Sequence, residues 1–166
     1  MARGRLDFNV SRKWKFLQDI FGKENALNLY PPYLGAGVRA KPSDSGRGVV
    51  VQMTLGFLNE NYVGTHFGGS LYSMTDPFFM FLLLENLGDD SIVWDKSAAI
   101  EFKKPGTGTV TALFELPESE YDEVRSIVAA KKKTTRIYTV DIMDEAGDVV
   151  ATVEKGLYIR RKPGVK

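Results

Sequence analysis

The chain has 166 residues, a length that suits one ordinary globular domain and would cramp two. Apolar residues make up 43% and charged residues 26%, which excludes wholesale disorder and collagen-like or membrane-embedded classes. Twenty-two Lys and Arg against 21 Asp and Glu leave a net charge of +1, so no global field selects nucleic acid or a membrane surface as partner.

Cysteine is absent, which removes disulfides, thiolate nucleophiles and Cys-type zinc sites together. The single histidine, His66, cannot build a multi-histidine metal centre. Chemistry is therefore expected from carboxylates, hydroxyls and backbone groups, with no metal and no cofactor. Residues 1–10 carry Arg3, Arg5 and Asp7 but lack the apolar stretch of a signal peptide. The longest apolar run, residues 78–84, falls far short of the ~20 residues that cross a bilayer. No membrane span and a cytoplasmic location are expected.

An amphipathic helix opens the chain. Trp14, Leu17, Phe21 and Leu27 fall on one stripe with Arg12, Lys13, Lys15 and Lys23 elsewhere, and Tyr30-Pro31-Pro32 ends it. Residues 35–40 and 49–55 read as short strands around the turn signal Pro42-Ser43-Asp44-Ser45-Gly46. A polar, glycine-bearing loop follows. Residues 70–87 are then apolar on nearly every side, which predicts one long buried helix stopped by Gly88-Asp89-Asp90. Residues 92–104 and 109–116 read as strands about the turn Pro105-Gly106-Thr107-Gly108. A short helix over 119–130 carries a capping-box pattern, Ser119 with Asp122. Residues 135–143 alternate, with Tyr138, Val140 and Ile142 to one side, and 149–159 return the chain after a turn. Residues 160–166 read as a basic frayed tail. Composition and pattern give an α+β class in which the sheet covers the buried helix.

The run Asn61-Tyr62-Val63-Gly64-Thr65-His66-Phe67-Gly68-Gly69-Ser70-Leu71-Tyr72-Ser73-Met74-Thr75-Asp76-Pro77 resembles the approach to the central helix of hotdog-fold thioesterases of the phenylacetyl-CoA type. Together with Ile92-Val93-Trp94-Asp95-Lys96 and Phe102-Lys103-Lys104-Pro105, it is more similar still to an uncharacterised bacterial hotdog family placed beside those enzymes. The resemblance runs from about residue 33 to 162. It implies a single hotdog domain over 1–166, with an N-terminal helix over 1–32 and an antiparallel sheet wrapped around a long central apolar helix over 33–162. It further implies a homodimer or a dimer of dimers, sheets joined edge to edge, acting on an acyl thioester of coenzyme A or acyl carrier protein.

In the thioesterases a His-Gly-Gly turn precedes the helix, and an Asp or Glu on the helix activates water or attacks the thioester. Carried over position by position, Gly68 and Gly69 match the two glycines, Asp76 the helix carboxylate and Asn61 an asparagine ahead of the turn. Phe67 occupies the family histidine position, with His66 one residue earlier. The residues support two readings at each place. Glycine amides at a helix start can hold an oxyanion, yet Gly-Gly also serves plain tight packing. A carboxylate among Met74, Phe78 and Phe79 is expected to be desolvated and hence a stronger base. Asp76-Pro77 is equally a cap that restarts a helix after a kink, with Pro77 freeing a carbonyl near Ser73.

Ser73 and Thr75 either orient water or satisfy local carbonyls. His66 either contacts substrate or acts as an acid, or is a hydrogen-bonded structural group beside the turn; Phe67 is a candidate substrate contact. Lys103-Lys104, Lys131-Lys132-Lys133 and Arg160-Arg161-Lys162 are candidates for the carrier's phosphates, or solvated edges that discourage aggregation. The expected function is an acyl-CoA thioesterase-like hydrolase; the alternative is a non-catalytic hotdog module that binds fatty acyl groups or serves in dimerisation. Hydration or dehydration of an acyl thioester would need His66 to meet Asp76.

Overall fold

A computed structural model describes residues 12–162. The readings for 1–10 and for the last four residues lie outside the described residues. Helix α1 (Arg12–Asn28) breaks at Gly22, whose φ of 77° and ψ of 158° leave helical space. Helix α2 (Pro31–Ala36) starts on the proline pair, which needs no amide partner there, and stops at Gly37 in the left-handed conformation. Gly35 and Ala36, expected in a strand, belong to this helix because the prolines restart a turn instead of ending helical structure.

Strands β1 (Val38–Pro42) and β2 (Gly48–Thr54) form a hairpin. Helices α3 (Gly68–Ser73) and α4 (Phe78–Leu87) replace the one long helix expected over 70–87. The break falls at Asp76-Pro77, a cis peptide bond. Strands β3 (Ser91–Phe102) and β4 (Thr109–Glu115), helix α5 (Glu118–Lys131), and strands β5 (Lys133–Met143) and β6 (Val149–Arg161) complete the order. The capping box expected at Ser119 is not formed. Pro117 is the N-cap and makes no side-chain bond, so the helix is already under way two residues before the expected cap. Arg160 and Arg161, expected in a frayed tail, are paired strand residues of β6.

The six strands form one antiparallel sheet in the order β1-β2-β4-β5-β6-β3. Alternation in β5 puts Tyr138, Val140 and Ile142 inward and leaves their neighbours exposed. The inner face is filled by α4, with Phe78 and Phe79 each 5.0 Å, ring centre to ring centre, from Phe114 of β4. Phe79 also stacks on Tyr138 at 5.2 Å. This antiparallel sheet packed on a bent central helix is the α+β hotdog arrangement. Among the described residues no helix is long and apolar enough to cross a membrane.

Strand β3 lies at one end of the sheet and pairs within the chain with β6 alone. At 12 residues it is long for an edge, and Trp94 and Phe102 on it are 43% and 53% exposed. Its ladder slips between Asp95 and Ser97, a bulge that turns Asp95 toward the inner face.

Phe114 is fully buried between two rings of α4. Phe114→Ala is expected to cost about 3–5 kcal/mol. Urea unfolding followed by fluorescence or circular dichroism reads that loss as a lower midpoint; an unchanged midpoint contradicts this packing.

Candidate functional site

The break in the central helix exposes the chemistry. Pro77 cannot donate a hydrogen bond, so the helix cannot run through it, and the chain turns between Met74 and Phe78. The Asp76 N–H donates to the Ser73 carbonyl at 3.2 Å, so the carbonyl expected to be freed by Pro77 is occupied. The hydroxyl of buried Tyr33 on α2 donates to the Asp76 carbonyl. Burial, then the charge of Asp76, push the Tyr33 phenol far above its ordinary value, so it remains a donor. Thr75 is buried and donates to the Tyr72 carbonyl at 2.8 Å, a local backbone bond.

Asp76 does not cap α4, whose N-cap makes no side-chain hydrogen bond. Its carboxylate instead accepts from Lys155 Nζ at 2.7 Å. The carboxylate expected to sit desolvated among apolar side chains is 44% exposed, and it is the lysine, at 1%, that is buried. A second carboxylate, Asp95 of β3, approaches the same ammonium at 3.1 Å. The Tyr72 hydroxyl of α3 takes a third contact at 3.2 Å, with Nζ 5.1 Å from that ring's centre.

Burial alone would lower the Lys155 ammonium, but the hydrogen bond and charge of Asp76, joined by Asp95 and Tyr72, hold it above its ordinary value. Burial raises the Asp95 carboxyl, against the pull of Lys155, and the negative charge of Asp76 adds to the rise. Asp95 Oδ1 is buried and lacks the alignment of a hydrogen bond. This cluster escaped the reading of the residues one by one. Lys155 stands in phase with Val153, Leu157 and Ile159 on the buried face of β6, and a lysine on an apolar phase was its signal.

The other predicted residues gather at the start of α3. The Phe67 carbonyl accepts from Ser70 and Leu71 N–H as the helix begins. Phe67 is 57% exposed. A Cβ on Gly69 would stand 2.4 Å from the Phe67 ring, and one on Gly68 would stand 2.9 Å from the Phe102 ring. Two aromatic rings thus flank the glycine turn, and a side chain at either position would have to displace one of them. Asn61 is engaged inside its own loop, accepting from Val63 and Thr65 N–H at 3.0 and 3.1 Å. Its amide donates to Thr65 Oγ1 at 2.8 Å and to the His66 carbonyl at 3.3 Å.

His66 is buried, with Nε2 3.0 Å from the Gly108 carbonyl and Nδ1 without a partner. Burial lowers its pKa, only partly opposed by that carbonyl, so the ring is neutral and Nε2–H donates. Its ring is thus turned to the β3–β4 turn, while Asp76 is turned to Lys155. Lys104 pairs with Asp144 and Asp148 at 2.6 and 2.7 Å, and Lys103 with Glu101 at 2.6 Å. Lys131, Lys132 and Lys133 are exposed where α5 meets β5.

This geometry and sheet define a hotdog-fold protein. A family described as a domain of unknown function, DUF4442, matches residues 21–159, and the chain belongs to that family. The chain is similar in structure to a protein of unknown function from Pseudomonas aeruginosa described as a probable thioesterase. That pair shares 21% identity and a TM-score of 0.69, covering 76% of this chain and 85% of the other. A protein of unknown function from Chlorobaculum tepidum TLS gives 17%, 0.67, 90% and 95% in the same order. A thioesterase from Haemophilus influenzae gives 13%, 0.62, 85% and 92%. Identities this low establish a shared fold. No curated protein matches the chain.

Protonating the His66 ring inside the fold is unfavourable, so the unfolded chain binds that proton first, near the ordinary value of 6.5. Stability contributed by the neutral ring is full above that pH and is lost as pH falls toward the lower folded value. Thermal midpoints measured from pH 7 to pH 5 should fall more steeply in the wild type than in His66→Gln, whose amide can still reach Gly108. Equal slopes would place the acid sensitivity elsewhere.

Proposed function

We propose that the protein is an acyl-CoA thioesterase-like hydrolase acting on an apolar acyl thioester, with Asp76 as its carboxylate. The observation that carries this reading is the helix break that presents Asp76 at the surface while a buried lysine holds it from below. An ion pair whose outer member faces solvent has one carboxylate oxygen left for a water molecule or a carbonyl carbon. The thioesterase names borne by several structural relatives support the reading at the level of fold.

Under this reading Asp76 accepts a proton from water as the water oxygen attacks the thioester carbonyl, or attacks that carbon itself. The carbonyl oxygen gains negative charge, and the Gly69 N–H, with Gly68 beside it, receives it. The first N–H groups of a helix have no partner within it, which suits them to that task. Collapse of the tetrahedral species breaks the C–S bond, and the leaving thiolate takes the proton that Asp76 accepted from water. Where Asp76 attacks the carbon itself, water then cleaves the acyl-aspartyl anhydride, freeing the acid and the Asp76 carboxylate and supplying the proton for the thiolate. Asn61 and His66 hold the loop that sets the angle of Gly68 and Gly69, while Phe67 and Ser73 border the acyl group. Gly69 lies in the first turn of α3, while Asp76 lies beyond the end of that helix at Ser73 and is turned to Lys155. On this reading the Gly69 amide and the Asp76 carboxylate that meet one thioester come from two subunits.

The surface supports this. Phe57, Leu58, Tyr62 and Val63 in the loop before α3 are 94%, 77%, 104% and 76% exposed, an apolar display rare in a monomer. We read β3 as the edge joined to its copy in a homodimer, with pairing of dimers as a further step. The carrier is coenzyme A or acyl carrier protein, met by the exposed lysines between α5 and β5, in a cytoplasmic protein.

One observation favours a second reading, a non-catalytic hotdog module that binds fatty acyl groups or serves only in dimerisation. The Phe67 ring stands over Gly69, and Phe67 occupies the position at which the thioesterases that the sequence resembles carry a histidine.

Purified protein incubated with acyl-CoAs of several chain lengths is expected to release free thiol, and Asp76→Asn to lower kcat by ~100-fold or more. Undiminished hydrolysis in that variant removes Asp76 from the mechanism. Co-purified lipid without turnover of any thioester selects the second reading. Native mass spectrometry should give at least twice the 18.5 kDa chain mass; a monomer at micromolar concentration breaks the shared-site argument.

A further inference from the structure

We infer that Lys155 and Asp95 are positioning residues of the Asp76 site, the lysine fixing the aim of the Asp76 carboxylate and Asp95 competing for the same ammonium. This rests on the hydrolase reading for its kinetic consequence, but the coupling among the three groups stands on geometry alone.

The lysine is held where it cannot be idle. Its side chain is 1% exposed, whereas Asp95 is 26% and Asp76 44% exposed, so the charges rise in a stack from the sheet to the surface. A buried ammonium cannot shed its partners without facing an apolar interior, which makes its contacts rigid. The lysine comes from β6, one carboxylate from the edge strand and the other from the helix break, so three elements meet at one nitrogen. Nζ forms an aligned bond to Asp76 but meets Asp95 Oδ1 without hydrogen-bond alignment. Asp76 therefore holds the lysine more firmly, and Asp95 is the carboxylate left under-satisfied.

The neighbouring elements bring hydroxyl groups to this cluster. On α3 the facing group is the Tyr72 hydroxyl, and on α2 the Tyr33 hydroxyl meets the Asp76 backbone. On β5, Tyr138 lies across from Lys155 in the ladder, and its hydroxyl donates to Glu120 at 2.7 Å. One ammonium thus serves two carboxylates. While Asp95 is ionised its charge favours proton uptake at the shared cluster; while it is protonated, Lys155 serves Asp76 alone. Asp95 sits at the bulge of the edge strand β3.

Two variants push the cluster in opposite directions. Lys155→Met keeps the length of the side chain and removes the positive charge; Asp95→Asn keeps the shape of the carboxyl group and removes the negative one. The acid limb of kcat/KM for an acyl-CoA is expected to move up by about one pH unit in Lys155→Met and down by a similar amount in Asp95→Asn. A shift of both limbs in one direction, or of neither, overturns the inference, since a purely structural role would lower activity without opposed displacements.

Carbon-13 NMR of the Asp95 carboxyl group provides an arm without substrate. In the wild type it is expected to titrate above the ordinary 3.8. In Asp76→Asn it should fall by about one unit as the neighbouring negative charge disappears. An Asp95 titration that is ordinary and indifferent to Asp76→Asn overturns the inference whether or not a thioester is hydrolysed. Coupled titration in a protein that hydrolyses none leaves the cluster standing and sinks the hydrolase reading. Should Lys155→Met fail to fold, the Asp95→Asn and Asp76→Asn arms decide alone.

Discussion

The structure depends on an ammonium group taken out of water. Moving a lysine charge into a protein interior costs several kcal/mol even after relaxation, and the fold must supply opposite charge at bonding distance. Lys155 meets that demand with Asp76 at 2.7 Å and Asp95 at 3.1 Å. Neither carboxylate arrives by chance of sequence proximity. Asp95 lies on the strand paired with β6, close in the ladder to the lysine, and the bulge after it turns the side chain to the inner face. Asp76 comes from 79 residues earlier, at the one place where the apolar central helix is cut.

That cut reconciles two requirements that would otherwise conflict. The helix must be apolar on most faces, because the sheet closes over it and Phe78, Phe79 and Phe114 form its floor. A carboxylate set within a continuous helix of this kind would be buried without water. By ending α3 at Ser73 and starting α4 at Phe78, the chain lifts residues 74–77 out of helical register. Met74 and Thr75 remain inside while the Asp76 side chain reaches the surface. Tyr33 of α2 ties the Asp76 carbonyl in place, so the N-terminal segment contributes to the same corner.

Much of the fold was legible because its signals are local. Strand alternation in 135–143 and the apolar stretch after Ser70 placed the sheet and the central helix, and the resemblance around Gly68, Gly69 and Asp76 supplied the topology that periodicity cannot. The errors share a cause. Tyr30-Pro31-Pro32 reads as a helix end, yet α2 starts on the proline pair and takes two residues from the expected strand; the kink that Asp76-Pro77 offered as one of its two readings divides the expected long helix into two. The candidate site was legible in part. Asp76 was singled out from its apolar neighbours, but its partner was not, because an ion pair between residues 76 and 155 leaves no spacing to detect. Only the phase of Lys155, inward on a strand of Val, Leu and Ile, carried the information, and it does so only once strand β6 is assigned.

Stability alone does not account for this lysine. Apolar residues of similar volume in place of a buried ion pair are often neutral or stabilising, so a core built only to hold together has no need of an ammonium at this position. What an apolar side chain cannot do is fix a negative charge at the protein surface. The exposures run in that order, from Lys155 at 1% through Asp95 at 26% to Asp76 at 44%, and the charge nearest solvent is the one bonded most directly to the lysine. A surface aspartate without such support samples several rotamers, and each change moves its oxygens by more than the tolerance of proton transfer to a bound water. Anchored on Lys155, and with its backbone held by Tyr33, the same carboxylate has one aim. The buried charge thus acts as the foundation of an exposed one, which links the helix break, the edge strand and the inward lysine as parts of a single device.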